Sequence, residues 1–158
     1  MADIIFERRT AETNDKFAVF LIGMRINKFW KVHRWLPVSM AMGRMLQELE
    51  VQENSDLLHV ESWAGRTSIM VQYWRSFDAL ENYAKNPNQQ HLPAWRDFNK
   101  LISSNGDVGI WHETYTIAPG NFEVVYNNMP EFGLAKATRS VAASGKRKTA
   151  RARLQTTP

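Results

Sequence analysis

Residues 57–75 read LLHVESWAGRTSIMVQYWR, and this stretch decides the fold. Leu57–Trp63 and Thr67–Arg75 are both rich in β-branched and aromatic residues, which favour strands. Ala64–Arg66 separates them, and a connection of a few residues that includes glycine is typical of a β-hairpin. The sequence therefore predicts two antiparallel strands in the middle of the chain.

The segment before this hairpin predicts a strand followed by a helix. Lys16–Ile26 reads KFAVFLIGMRI and is apolar on both faces, as a buried central strand is. From Phe29 to Val51 the apolar residues recur at three and four positions, which indicates an amphipathic helix. Pro37 suits an early turn better than a helix interior. We therefore expect the regular helix from about Pro37 onward, after a short helical turn over residues 29–35.

The segment after the hairpin repeats the pattern of a helix and then a strand. Ser76 is a good N-cap for a short helix, and a second helical piece is expected from about Gln89 to Ser103. Val108–Ile117 reads VGIWHETYTI and predicts a fourth strand. The order β-α-β-β-α-β is the ferredoxin-like pattern, an α+β fold in which two helices cover one face of an antiparallel sheet.

The second face of that sheet also needs a cover. All four predicted strands carry apolar or aromatic residues on both faces, and the helices can bury only one of them. A second copy of the same sheet is the simple solution. We therefore expect a homodimer, and the predicted architecture is a dimeric α+β barrel.

Charge divides the chain into two parts. The formal net charge is +4, and residues 132–158 hold seven basic and no acidic residues, so residues 1–131 carry −3. We predict one domain over residues 1–136, with a C-terminal arm that includes a fifth strand or extended segment over Asn121–Tyr126, and a basic, disordered tail over residues 137–158. The acidic balance of the body argues against nucleic acid as a partner, and only the tail offers a basic contact surface.

Several classes of protein are excluded or disfavoured by absences in the sequence. There is no cysteine, so there is no disulfide framework and no thiolate metal site. No apolar run approaches the roughly 20 residues of a membrane span, and the N-terminus lacks the apolar core of a signal peptide. A cytoplasmic location is the expectation. The common nucleotide-binding and hydrolase motifs are absent as well.

The most suggestive site lies in the last predicted strand, in the run WHETY at residues 111–115. On a strand, His112 and Thr114 face one way, while Glu113 and Tyr115 face the other. A histidine and a glutamate in an apolar strand point to proton transfer in a pocket. The alternative is a histidine satisfied by a neighbour and a glutamate in an interface ion pair.

Other candidates are more isolated. His91, at the start of the second helical piece, suits an acid–base group or an axial ligand, or else a plain surface residue. Arg25 needs a carboxylate, with Glu61 or Glu113 as candidates, or an anionic ligand. Eight aromatic residues suit either a cavity for a flat organic molecule or ordinary packing: Trp30, Trp35, Trp63, Tyr73, Trp74, Trp95, Trp111 and Tyr115.

Three stretches carry a resemblance to a known family: FLIGMRINKFWKVHRWLPV, QYWRSFDALENYAKNPNQQHLPAW, and GIWHETY followed by VYNNMPEFGLAKA. Over residues 5–138 the chain resembles small bacterial and fungal proteins described as monooxygenases and related to the antibiotic-biosynthesis monooxygenases. The resemblance implies the dimeric α+β barrel. It marks as candidates the matching positions Arg25, His91, His112, Glu113, Tyr115 and Asn128.

The function that the resemblance implies is a monooxygenase-like oxidoreductase. A small hydrophobic organic substrate would bind between the sheet and its helices, His112 or His91 would move a proton, and Tyr115 and Arg25 would orient an oxygen or an anion. Members of this superfamily work either without a cofactor or with haem, and a haem here would use His91 or His112 as its ligand. The alternatives are a non-catalytic protein that binds haem or a hydrophobic ligand, and a haem-dependent lyase of the same superfamily.

Overall fold

The computed structural model of the protein describes residues 3–51, 55–86, 96, 98, 100 and 105–155. Its elements in chain order are β1 (Arg9–Glu12), β2 (Phe17–Ile26), α1 (Val32–Val51), β3 (Leu57–Trp63), β4 (Ile69–Trp74), α2 (Phe77–Lys85), β5 (Val108–Ile117), α3 (Leu134–Ala137), β6 (Arg139–Ala142), a 3₁₀ turn (Gly145–Arg147) and α4 (Ala150–Gln155).

The main sheet is antiparallel, and its strands lie in the order β3-β4-β2-β5. Numbered along the four strands alone, this order is 2-3-1-4, which is the ferredoxin-like arrangement. The strand predicted as central is central, since β2 pairs with β4 on one side and β5 on the other. The predicted α+β, ferredoxin-like fold is confirmed.

One face of the sheet carries the helices. Met24 and Met70 point toward α1 and form a buried cluster with Val38 and Met42 of that helix. At the other end of the same face, Trp74 packs with Leu80 of α2 and is 1% exposed. These two clusters identify the helix-facing side, because residues two apart on a strand share a face.

Helix α1 begins five residues earlier than predicted. It runs from Val32, so Pro37 lies inside it rather than at its start. The proline lacks the amide hydrogen that would bond to the carbonyl of His33, so the helix gives up one hydrogen bond close to its first turn. Burial of Val38 and Met42 beyond this point holds the helix in place.

Helix α2 begins as predicted. The Ala79 amide donates to Ser76 Oγ at 3.1 Å, so Ser76 is the N-cap. Most of the second helical piece, predicted over Gln89–Ser103, lies outside the described residues. Residues 96, 98 and 100 are described and helical, and Phe98 packs against the α1 cluster.

The C-terminal segment covers part of the opposite face. Leu134 and Ala135 of α3 are buried against Phe17 of β2, with Tyr73 and Phe122 at the edge of the same cluster. The segment predicted as a fifth strand or extended arm, Asn121–Tyr126, forms a single bridge between Tyr126 and Arg9 and is otherwise extended without a regular strand. The chain itself therefore fills some of the surface that we expected a second copy to bury.

Residues 139–155, where composition predicts a disordered tail, carry β6, the 3₁₀ turn and α4 in the structure. Strand β6 pairs antiparallel with β1, from Arg9↔Ala142 to Glu12↔Arg139. Glu12 accepts hydrogen bonds from the side chains of Arg139 and Arg147. These basic residues pair with a carboxylate in the acidic part of the chain. The composition of the tail alone does not predict that pairing. In the described residues, no helix combines the length and apolarity needed to cross a membrane.

Candidate functional site

His112 is the sequence candidate that reaches the helix-facing side. It lies in β5, opposite Ile22 of β2 in the register, and Ile22 packs against the α1 cluster. The imidazole is exposed, and its ring centroid lies 5.7 Å from that of Phe20, with the planes tilted by 46°. An imidazole beside an aromatic ring is a usable proton-transfer group.

Two rows of residues across the sheet form the surface around His112. The strand register aligns Val60, Gln72, Phe20 and Thr114 in one row, and Ser62, Met70, Ile22 and His112 in the next. Both rows lie on the helix-facing side, where Met70, Ile22 and Val60 pack in the cluster at α1 and Phe20 packs against the cluster at α2. We call these eight residues the sheet floor.

Gln72 is a buried polar residue of the sheet floor that the sequence analysis did not single out. It is 7% exposed, and its side-chain oxygen accepts a hydrogen bond from Trp74 Nε1 at 2.9 Å. The signal was present in the sequence, since the strand IMVQYW holds one polar residue among apolar and aromatic ones. A buried polar side chain in such a strand requires an explanation.

Glu113 and Tyr115 lie on the opposite face, as the alternation along the strand predicted. The Tyr115 hydroxyl donates to Glu113 Oε2 at 2.6 Å. The hydrogen bond to the Glu113 carboxylate raises the pKa of Tyr115, and the negative charge of Glu113 adds to the effect. The phenol therefore stays protonated. Both side chains are exposed, and the sheet separates them from His112.

Arg25 does not pair with either expected carboxylate. Its guanidinium donates to Thr67 Oγ1 at 2.8 Å. In the register Arg25 lies opposite Gly109, whereas Glu113 lies opposite Leu21, so four residues, or about 13 Å, separate the two positions along the sheet. Arg25 also faces away from the helices, and the structure does not bring it to His112.

The remaining histidines lie elsewhere. His91 lies outside the described residues. His33 is exposed in the first turn of α1. His59 Nε2 lies 2.8 Å from Glu61 Oε1, so its ring is held by a neighbour.

A second group of titratable residues lies under α3, on the face away from His112. Glu61 Oε1 accepts a hydrogen bond from the Gly133 amide at 3.3 Å. A Cβ on Gly133 would lie 3.2 Å from the Tyr73 hydroxyl and 3.3 Å from that of Tyr126. Burial raises the pKa of Tyr73 to about 12 and raises that of Tyr126 as well. The two phenols remain neutral, and the group attaches α3 to the sheet.

The eight aromatic candidates do not line one cavity. Trp74 is buried on the helix-facing side, Trp63 packs on Phe132 with ring centroids 6.0 Å apart, and Trp30 is 76% exposed. Trp95 lies outside the described residues. Asn128 occupies a left-handed turn with φ of 55°, a conformation that asparagine tolerates, so the structure gives it a backbone role.

A family model described as monooxygenase af470-like matches residues 17–134. The match includes the four strands of the main sheet and ends at the start of α3. Among curated proteins, monooxygenase af470 of Aspergillus fumigatus is 26% identical in an alignment 149 residues long, and the match covers 81% of this chain and 53% of that protein. The chain therefore spans about half the length of this curated relative.

Solved structures resemble the chain in fold. An aldoxime dehydratase, OxdRE, in complex with butyraldoxime, superposes with a TM-score of 0.60 and 14% identity over 74% of this chain and 37% of that chain. SnoaB, a cofactor-independent oxygenase from Streptomyces nogalater, gives a TM-score of 0.46 and 12% identity over 65% of this chain and 93% of that chain.

Proposed function

The chain belongs to the monooxygenase af470-like family, and on that premise we propose that it oxidises a small hydrophobic organic substrate on the sheet floor, with His112 as the proton-transfer group. The observation that carries the proposal is the exposed imidazole of His112 beside the Phe20 ring, 5.7 Å away between centroids. The floor also holds the apolar side chains of Val60, Ile22 and Met70, which favour a hydrophobic ligand.

The chemistry constrains the substrate. Amino-acid side chains supply no redox centre, so a reaction without a cofactor needs a substrate that forms a stabilised carbanion. The His112 imidazole would accept the proton from an activated CH₂ group, and the electron pair would remain on the substrate. The carbanion would then reduce O₂ directly. The overall change is CH₂ + O₂ → C=O + H₂O, in which the carbon loses four electrons and O₂ gains them.

Oxygen uptake tests the proposal. Purified protein is supplied with aromatic ketones that carry an acidic CH₂ group, and oxygen consumption and product are followed by electrode and mass spectrometry. His112→Ala should lower the rate by about 10²-fold or more, which is typical of a lost general base. His59→Ala is the matched control, because His59 lies against Glu61 on the other face. Equal turnover of the His112→Ala variant and the unchanged protein would refute the role of His112.

Haem binding is the second candidate, and one observation favours it. The exposed His112 imidazole fits a proximal ligand, whereas His59 is held by Glu61. Haem would supply the redox chemistry when bound, and Phe20 would contact the macrocycle. Titration with hemin tests this idea. A Soret band that His112→Ala removes would support it, and an unchanged spectrum of free hemin would exclude it.

We propose a homodimer through the face that lies away from the helices. The C-terminal segment covers the end of this face near Phe17 and Tyr73. On the uncovered part of this face, Tyr115 is 49% exposed and Trp63 is 45% exposed. Leu21 is half-buried and lies between the rows of the sheet that hold these two residues. A second copy of this surface would bury these aromatic side chains and exclude water from the Tyr115–Glu113 hydrogen bond.

A further inference from the structure

Helix α1 carries apolar residues on two sides, and the sheet buries one of them. Val38 and Met42 face the sheet and are buried. Val32, Leu36 and Met40 follow one another at intervals of four residues, so they form one row along the helix. They are 46%, 42% and 55% exposed, and the row therefore lies on the side away from the sheet. Because an apolar helix surface is normally covered, this row indicates an interaction surface.

The loop before α1 adds aromatic side chains at the end of this row. Trp30 is 76% exposed and Phe29 is 48% exposed. Trp35 Nε1 donates to the Phe29 carbonyl at 3.0 Å, which holds the loop against the helix. The guanidinium carbon of Arg66 lies 5.6 Å from the centroid of the Phe29 ring. We call the following residues the outer row: Phe29, Trp30, Val32, Leu36 and Met40.

The surroundings of the outer row are basic. No aspartate or glutamate occurs in residues 16–47, although residues 1–131 together carry a net charge of −3. Arg44 is exposed on the outward side of α1, and Arg66 is exposed beside Phe29. Lys28 and Lys31 reach solvent at the start of the helix and share the buried Asp107 carboxylate. One carboxylate does not balance these cations, so the outer row lies in a positively charged region.

Helix α2 lacks this combination. Its exposed positions include Asp78, Asn82 and Lys85, and its buried residue is Leu80. Phe77, at its first position, is 44% exposed but stands beside the acidic Asp78. This polar outward side is typical of a helix that faces water. The outer row is therefore a property of α1 and not of both helices.

We propose that the outer row docks the protein on an anionic lipid surface. Tryptophan and aliphatic side chains enter the boundary between headgroups and acyl chains, while lysine and arginine meet the phosphates. Val32 and Met40 are eight residues apart, or about 12 Å along the axis, so α1 would lie along the surface. A second copy bound symmetrically through the same row would bring like charges together. This inference does not depend on the proposed oxidation.

Vesicle binding of the full chain tests the apolar part of the proposal. The protein should cosediment with vesicles made of equal amounts of phosphatidylcholine and phosphatidylserine. Leu36→Gln/Met40→Gln should weaken binding by about tenfold or more, because two apolar side chains no longer enter the bilayer. Glutamine keeps the helix propensity, and circular dichroism checks the fold. Phe77→Gln, which changes an exposed apolar residue of α2, is the matched control and should bind like the unchanged protein.

The lipid composition tests the role of charge. The unchanged protein should bind vesicles of phosphatidylcholine alone more weakly, and salt should weaken its binding to the anionic vesicles. Arg44→Gln should bind the anionic vesicles about fivefold more weakly, the value of one cation near such a surface, and the neutral vesicles equally well. Equal binding of the unchanged protein to both compositions would refute the electrostatic part of the proposal.

Tryptophan fluorescence identifies the part of the chain that enters the lipid. Binding should shift the emission to shorter wavelength, and Trp30→Phe should still bind but show a smaller shift. An unchanged protein that binds neither kind of vesicle would overturn the proposal. Binding that Leu36→Gln/Met40→Gln leaves intact would also overturn it. A smaller sedimentation coefficient of that variant, in a protein that ignores vesicles, would instead make the outer row a contact between copies of the chain.

Discussion

Lys28 Nζ lies 2.7 Å from Asp107 Oδ1, and this ion pair ties the loop after β2 to the start of β5. Lys31 Nζ approaches the other carboxylate oxygen at 2.9 Å. The Asp107 backbone carbonyl also accepts hydrogen bonds from the amides of Asn27 and Lys28. The carboxylate is 2% exposed, whereas the lysines reach solvent. Asp107 thus fixes the point at which β5 begins, and with it the position of His112 in the sheet.

Asp107→Asn should destabilise the protein near neutral pH and much less in acid. Hydrogen bonds from Lys28 and Lys31 lower the pKa of Asp107 below its ordinary value of 3.8. A lowered folded-state pKa means that the stabilisation is complete above the ordinary value and is lost as the pH falls through the folded value. Melting temperatures from circular dichroism at several pH values measure the difference.

The control for this prediction is Asp15→Asn, since Asp15 is exposed in the turn before β2. That variant should follow the melting curve of the unchanged protein at each pH. An Asp107→Asn variant whose loss of stability is the same at neutral and at strongly acidic pH would show that the carboxylate charge is not what stabilises this junction.

Gly23→Ala should cost about 3 kcal/mol of unfolding free energy, as overpacking of a rigid site does. A Cβ at this position would lie 1.9 Å from the Ser68 carbonyl oxygen and 2.8 Å from Trp111 Nε1. The Ser68 amide donates to the Met24 carbonyl at 2.8 Å, so the backbone there cannot move freely. Urea unfolding of Gly23→Ala and of Gly43→Ala gives the comparison.

Gly43→Ala should behave in the opposite way. Gly43 lies within α1, and a Cβ there meets nothing within 4 Å, so alanine should stabilise the helix by about 0.5–1 kcal/mol. Equal effects of the two substitutions would contradict the close approach of Ser68 to Gly23.

Glu12→Gln should release the C-terminal segment. Glu12 is mostly buried and accepts hydrogen bonds from Arg139 and Arg147, which lie in β6 and in the 3₁₀ turn. A neutral amide cannot replace a carboxylate shared by two guanidinium groups. Limited trypsin digestion should therefore cut the variant faster around residues 146–148, and higher salt should accelerate cleavage of the unchanged protein.

Glu7→Gln serves as the control for Glu12→Gln. Glu7 pairs with Arg9 two residues away and is more exposed, so its loss should leave the cleavage rate unaltered. Identical cleavage of all three proteins would mean that the β1–β6 pairing holds the segment without the ion pairs.

Tyr115→Arg should convert the expected dimer to a monomer. Tyr115 is 49% exposed on the face away from the helices, and an unpaired cation there would oppose burial by a second copy. Sedimentation velocity measures the change. Met40→Arg, on the solvent side of α1 at 55% exposure, should leave the dimer intact. A Tyr115→Arg variant that sediments like the unchanged protein would place the interface elsewhere.

The sequence by itself determined the elements whose signals are local. The strands β3 and β5 have the predicted bounds, Leu57–Trp63 and Val108–Ile117, because β-propensity and turn residues act over a few positions. Ser76 caps α2 for the same reason. Alternation along β5 also separated His112 and Thr114 from Glu113 and Tyr115, since the side-chain period of a strand is two.

Only the tertiary structure decided which of these faces the helices cover and what meets there. Gln72 joins Phe20 and His112 through pairing between strands that are far apart in the chain. Glu12 binds Arg147, which lies 135 residues away, and so orders a segment whose composition alone predicted disorder. Such contacts depend on which distant residues the fold brings into reach, and local propensity carries no information about that.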